Sequence, residues 1–296
     1  MQFNKTTLAL AGLLINLLGL NTAQAQVLPE AVVGVKIPLA SRPTSRPMTV
    51  AYVPDFNRYY IADGGLAPIP GDMDIAVSRS QIHVYGAAGE FLQSAKPGYD
   101  NRSIYFNNNT RQLETVTYNI SSGAGFTPNT GIFALDLSEN GDLKETSSQV
   151  FAFNPAFGDA ATMPTYDAKS KRYFAKQEHS NIVRIVALDQ REKVAEIRLD
   201  LASAGALHDD ISDHYVAYTG ISGEELAVLD VDHKAALVFD LKGKLVGKSK
   251  LPPTMKLRAQ NHFNGLGYAN GMLFVYHEPE GEFGTYYGFR ISDQAK

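Results

Sequence analysis

Four short β-strand runs recur in the same order five times along this chain, and the fifth copy stops one strand short. The first copy runs Thr49–Val53, Tyr59–Ala62, Gln81–Tyr85 and Phe91–Ser94. The second begins at Ser103–Phe106 and passes through Leu113–Tyr118 and Gly131–Leu135 to a run ending at Phe153. The third goes from Thr165 through Tyr173-Phe174 and Ile182–Leu188 to Val194–Leu199. The fourth uses Tyr215–Tyr218, Leu226–Leu229, Ala236–Phe239 and Leu245–Gly247; the last has only Gly265–Tyr268, Met272–Tyr276 and Tyr286–Ile291. Each run alternates Val, Ile, Leu, Tyr or Phe with other residues and is bounded by Gly, Asn, Asp or Pro. That pattern predicts strands joined by turns.

The missing strand has a counterpart at the other end. Val32–Leu39 resembles the fourth-position run Val194–Leu201. A strand that returns from the N-terminus to complete the last unit closes a ring. Closure removes the bare sheet edges that an open array would expose. The expectation is an all-β propeller of five blades, or six if residues 154–260 divide differently.

Residues 50–94, VAYVPDFNRYYIADGG…QIHVYGAAGEFLQS, and 226–247, LAVLDVDHKAALVFDLKGKLVG, resemble the NHL/YVTN-type propeller repeats of secreted proteins. The resemblance is strong in these two units, looser in the other three, and implies fold rather than activity.

The first 25 residues read as a targeting segment. Lys5 is followed by an apolar run from Leu8 to Leu20, broken only by Asn16, and then by Ala23-Gln24-Ala25. This is the three-part pattern of a signal peptide cleaved near Ala25. The apolar run is too short for a membrane-spanning helix, which needs about 20 residues. The expectation is one propeller domain over residues 26–296, periplasmic or secreted and monomeric, with no membrane span.

Composition removes several functions. The chain has no Cys, which excludes disulfides, thiolate metal sites and a thiol nucleophile. A net charge of −4 argues against nucleic-acid binding. There is no Gly-x-Ser-x-Gly elbow, His-Glu-x-x-His motif or phosphate loop.

The loops split into two sets. Those joining first to second and third to fourth strands are short, as at Pro54–Arg58 and Gly86–Glu90. Those joining second to third strands, and one unit to the next, are long, as at residues 64–80, 120–130, 202–214 and 252–263. Long, varied loops on a rigid scaffold usually carry binding groups. The long-loop face is therefore the expected working face, and its polar residues are the candidates. Asp63, His179, Asp232 and His277 close second strands; Asn101, Arg102, His208, His262 and Asn264 precede first strands. The ligand-binding set is Asp63, Asn101, Arg102, His179, His208, His262 and His277. The metal set is Asp63, Asn101, His208, Asp209 and Asn264, and Ca²⁺ or Zn²⁺ is the cofactor such groups would hold. The stretch from His208 to His214 adds Asp210 and Asp213 as oxygen donors, without the spacing of an EF-hand loop. Arg42 and Arg46 are candidates for meeting an anion.

Asn264-Gly265-Leu266, entering a first strand, resembles the Asn-Gly-Leu of the gluconolactonase-type metal-dependent propellers. That resemblance implies Asn264 as a metal ligand and Asp63 as another. The family's Glu-Gly-Pro motif is replaced here by Ser45-Arg46-Pro47. Papaya-type glutaminyl cyclases are also small secreted five-bladed propellers, and no run of their motifs occurs. Two functions stay open. One is a binding module for a small molecule, glycan or protein. The other is a metal-dependent hydrolase or lyase with its site at the channel mouth.

Overall fold

The computed structural model describes residues 26–40, 47–64, 80–117, 130–152, 155–159, 161–188, 192–261, 263–279 and 284–294. The signal-peptide reading, Arg42, Arg46, Tyr118, Phe153 and His262 lie outside them.

The described residues form twenty strands and no α-helix. Strands β2 (Pro47–Val53), β3 (Arg58–Asp63), β4 (Gln81–Gly86) and β5 (Phe91–Ala95) make one antiparallel sheet in chain order. The second comprises β6 (Asn101–Asn107), β7 (Gln112–Thr117), β8 (Gly131–Leu137) and β9 (Leu143–Ala152). The third comprises β10 (Thr165–Asp167), β11 (Arg172–Lys176), β12 (Ile182–Ala187) and β13 (Glu192–Arg198).

The remaining strands are β1 (Val27–Pro38), β14 (Ala217–Tyr218), β15 (Leu226–Asp230), β16 (Ala235–Phe239), β17 (Leu245–Lys250), β18 (Gly267–Ala269), β19 (Met272–His277) and β20 (Thr285–Ser292). They form an eight-stranded sheet in the order β14-β15-β16-β17-β1-β20-β19-β18. Its two halves meet through a single parallel register pair, Glu30 with Lys250. The order matches a propeller-like arrangement in which a chain-terminal strand completes the last sheet.

That strand is longer than the sequence reading places it. β1 runs antiparallel to β20 from Pro38 opposite Thr285 to Val27 opposite Ser292, with two register shifts. Most of its side chains face solvent, as an outermost strand should, while Val27, Ile37 and Leu39 turn inward.

The repeat shows in the backbone as well. Asn57, Arg111 and Lys171 each have positive φ, and each ends the four-residue turn between a first and a second strand; Asn270, also at positive φ, opens the two-residue turn Asn270-Gly271 of the last unit. Positive φ is uncommon outside glycine, so its recurrence at the same position marks one turn used three times.

Hydrophobic clusters fill the spaces between neighbouring sheets. Phe174, Val183, Ile197 and Leu199 pack against Val216, Leu226, Val228 and Leu237 between the third and fourth units. Ile37, Phe274 and Tyr286 pack against Val50, Tyr59 and Ile61, where the last unit meets the first. Each blade-like sheet is thus apolar on both faces, and polar groups are left to the two loop faces and the central channel.

Candidate functional site

Each first strand carries one tyrosine at the same place: Tyr52 on β2, Tyr105 on β6, Tyr166 on β10, Tyr218 on β14 and Tyr268 on β18. All five are half-buried, although most of their strand neighbours are fully buried. They line a cavity of about 520 Å³ at the centre of the molecule. Pro54, Asn108, Lys169, Gly220 and Asn270, all in turns after first strands, share the lining. The cavity therefore opens on the face of the short loops. The expected working face was the other one, parts of which lie outside the described residues.

The opposite ends of the first strands are tied together. Thr49 Oγ1 accepts from the Ile104 backbone N–H at 2.6 Å, and Met163 bridges Tyr215. The hydroxyls of Tyr215 and Tyr286 donate to the carbonyls of Pro47 and Met48 at 3.0 and 2.9 Å.

Buried carboxylates stand behind the tyrosines. The Tyr105 hydroxyl donates to Glu114 at 2.5 Å, and Glu114 also accepts from Asn107 and Thr110. Asp167 lies beside Tyr218 and is held by Lys169 N–H and the Ser170 hydroxyl at 3.0 and 2.5 Å. Glu224 is 2% exposed, and burial raises its carboxyl above the usual carboxylate range. Tyr218 stacks flat on Phe174, with centroids 5.1 Å apart, and Tyr105 packs 5.0 Å from Tyr166. The Tyr52 hydroxyl donates to Asn57 at 2.5 Å.

Burial raises the Tyr105, Tyr166 and Tyr218 phenols, neighbouring carboxylates push the same way, and Tyr268 is raised to about 12. These phenols are neutral at physiological pH. They offer π faces and hydroxyls, not phenolate nucleophiles.

A second polar cluster occupies the other end of the channel. Arg102 is 1% exposed; its Nη2 donates to Asp100 at 2.6 Å, and its guanidinium lies over the Phe263 ring at 5.6 Å. Phe263 stacks on His214 at 4.5 Å. Next to His214, Asp213 faces the buried Lys176 ammonium at 3.7 Å. Lys176 also donates to the carbonyls of Gln177 and Asp213, at 3.2 and 2.9 Å. Glu178, Asp213 and His214 each bring one ligand atom within 4.8 Å of the others, a set able to hold a metal ion.

His214 supplies a titration handle. Burial pushes its imidazole down to about 4, against the pull of Asp213, and its Nδ1 has no hydrogen-bond partner. In the unfolded chain this group takes up its proton near 6.5. Stability is thus complete above about pH 6.5 and falls as pH drops toward 4. The loss is about 3 kcal/mol by linkage. Thermal melts of wild type and His214→Phe across that window check this. The wild type should lose more on acidification, because the carboxylates are common to both proteins. Parallel curves would refute it.

The sequence candidates fall into several settings. Asp63 and Asn101 come together through Ser80, whose hydroxyl donates to the Asp63 carbonyl and accepts from Asn101 N–H and Nδ2. The Asn101 side-chain oxygen accepts from Thr115, so both ends of its amide are engaged within the protein. Asp63 also lies 3.4 Å from His83 Nε2, a histidine outside the candidate set. Asn264 is buried and its side-chain oxygen accepts from the Arg258 N–H at 2.9 Å.

His179 has positive φ, and its exposed ring meets Asp213 at 3.1 Å. His208 and Asp209 pair with each other at 3.1 Å, both well exposed, on the 3-10 turn His208–Asp210. His277 Nδ1 accepts from Lys256 N–H, and its ring meets Tyr287 edge-on. Asp232 accepts from Gln260. Sequence reading did not single out Lys176, Glu178 or the tyrosine ring. The ring had a signal: one tyrosine in every first strand.

Comparison with known proteins supports the fold. No family model matches the chain, and no curated protein matches it. Among solved structures, glutaminyl cyclase from Myxococcus xanthus aligns at TM-score 0.52 with 10% identity, over 90% of this chain and 97% of that one. The likeness is one of fold. Raptor from Chaetomium thermophilum aligns at TM-score 0.39 and 13% identity, over 84% of this chain and 20% of that one. Hydrazine synthase from Kuenenia stuttgartiensis aligns at 0.37 and 10%, over 82% and 59%. Among the described residues no helix is long and apolar enough to cross a membrane.

Proposed function

We propose that this chain is a periplasmic or secreted binding protein that takes a small molecule into the mouth of its central channel. In this reading residues 1–25 are a cleaved signal peptide, and 26–296 form one monomeric propeller of five NHL-type blades. The observation that carries it is the ring of five half-buried tyrosines around a cavity of about 520 Å³. Cavities of this size, walled by aromatic and apolar groups with a few polar ones, are typical small-molecule sites.

Saturation-transfer NMR with a small-molecule library, on wild type and Tyr52→Leu, tests this. Library members that bind the wild type should lose about tenfold in affinity for the variant, the scale of one aromatic contact. Binding that ignores the substitution would refute the channel as the site.

A second reading, a metal-dependent hydrolase, is favoured by the Glu178, Asp213 and His214 cluster. Against it, the Lys176 ammonium already neutralises Asp213 from 3.7 Å. Stoichiometric Ca or Zn in protein purified without chelator, with melting lowered by EDTA, would favour the hydrolase.

A further inference from the structure

We propose that the tyrosine ring binds a quaternary or multiply methylated ammonium group. The inference rests on the channel mouth being the ligand site and names the chemistry of what enters it.

The walls first say which charge is welcome. Asp167 and Lys169 are the charged residues of the lining, and Lys169 is exposed whereas Asp167 is 7% exposed. Glu114, 1% exposed, stands directly behind Tyr105 and accepts from its hydroxyl. Two buried carboxylates, Asp167 and Glu114, thus stand at a ring of five phenols, and the one cation of the lining is exposed. An anion entering here would meet the buried Asp167 carboxylate, with only the exposed Lys169 ammonium to attract it. A cation would meet π faces and carboxylates, and low-dielectric walls strengthen both attractions.

The hydrogen-bond inventory then says what kind of cation. The hydroxyls of Tyr52 and Tyr105 already donate to Asn57 and Glu114. Asp167 already accepts from Lys169 and Ser170. A primary ammonium would enter with three donors that need acceptors. A methylated ammonium has few or none, and its charge is spread over methyl groups that fit against ring faces. Aromatic cages recognise such groups elsewhere by the same physics. A sugar would need hydroxyl partners, and those of Tyr52 and Tyr105 are already committed to Asn57 and Glu114.

Calorimetry with choline, its uncharged isostere 3,3-dimethylbutan-1-ol, and glucose provides the test. Choline should bind at least about tenfold more tightly than the isostere, the scale of a desolvated cation–π contact. Tyr268→Phe should keep choline binding and Tyr268→Leu should lose about tenfold. Asp167→Asn, which keeps the turn's acceptor, should weaken choline severalfold and leave the isostere unchanged. Tyr52→Leu repeats the leucine test on the neighbouring first strand of the ring if Tyr268→Leu fails to fold.

Equal binding of choline and isostere, or a preference for glucose, overturns the cation assignment and leaves the channel as the site. Failure of all three probes at millimolar concentration also overturns it, and the library screen then decides separately whether the channel binds anything.

Discussion

Arg102→Ala is expected to destabilise the protein by about 3–5 kcal/mol, the cost of removing one partner from a buried ion pair. The guanidinium and the Asp100 carboxylate are 1% and 4% exposed, 2.6 Å apart. Without Arg102 the carboxylate faces a low-dielectric surrounding with its counter-charge gone. Few native domains carry more than 5–15 kcal/mol in total, so the variant should sit near its folding threshold. Chemical denaturation measures it.

The control is the double variant Arg102→Met/Asp100→Leu, which removes both charges and should recover most of the loss. A second consequence reaches across the Phe263 ring. The Arg102 charge helps keep His214 unprotonated. In Arg102→Ala, at a denaturant concentration where it remains folded, NMR titration should find the His214 pKa higher than in wild type. A single variant costing under about 1 kcal/mol would mean that Asp100 is well compensated by other groups.

Much of the fold could be read from the chain alone because its signal is local. Alternation marks the strands, and residues such as Asn57 and Asn270 mark turns whose φ is positive. The closing strand was legible too, since Val32–Leu39 repeats the pattern of another unit's fourth strand. The site was less legible, for two physical reasons.

Tyrosine has two uses in these strands, and composition does not separate them. Tyr59, Tyr85 and Tyr276 are fully buried packers, whereas Tyr52, Tyr105 and Tyr268 face the channel. Only strand position within the unit distinguishes the sets. The other reason is distance in sequence. Glu178 follows β11 and His214 precedes β14, in adjacent units brought together by the ring. Loop length also pointed to one face, while the described cavity opens on the face of short, regular turns. A ring of first strands makes a cavity without help from long loops.

Removing β1 should have the largest effect of all. A chain beginning after Ala40 leaves β20 with a bare edge at the rim of the last sheet. It also loses Val27, Ile37 and Leu39, which are at most 9% exposed in the intact protein. Burial of three such side chains is worth about 5–9 kcal/mol before the cost of ordering the strand. That is comparable with the whole stability of an ordinary domain. The truncated chain should therefore be unfolded or aggregated, because a bare edge recruits other strands.

Two rescues separate loss of the strand from loss of a leader needed only for folding. A synthetic peptide of residues 26–40, added in trans, should restore the native far-UV spectrum by filling the vacant edge. A circular permutant offers the stricter test. Gln26 N–H donates to Asp293 at 3.0 Å, so the last strand and the first already lie end to end. A short Gly-containing linker from residue 294 to residue 26 would turn β20 and β1 into a hairpin. With new termini placed in the exposed Asp240–Lys244 turn, the permuted chain should fold and melt close to wild type. If the truncated chain folds alone as a monomer, the N-terminal strand is an accessory. If the permutant fails while the trans peptide succeeds, the order of synthesis matters and ring closure must begin from the N-terminus.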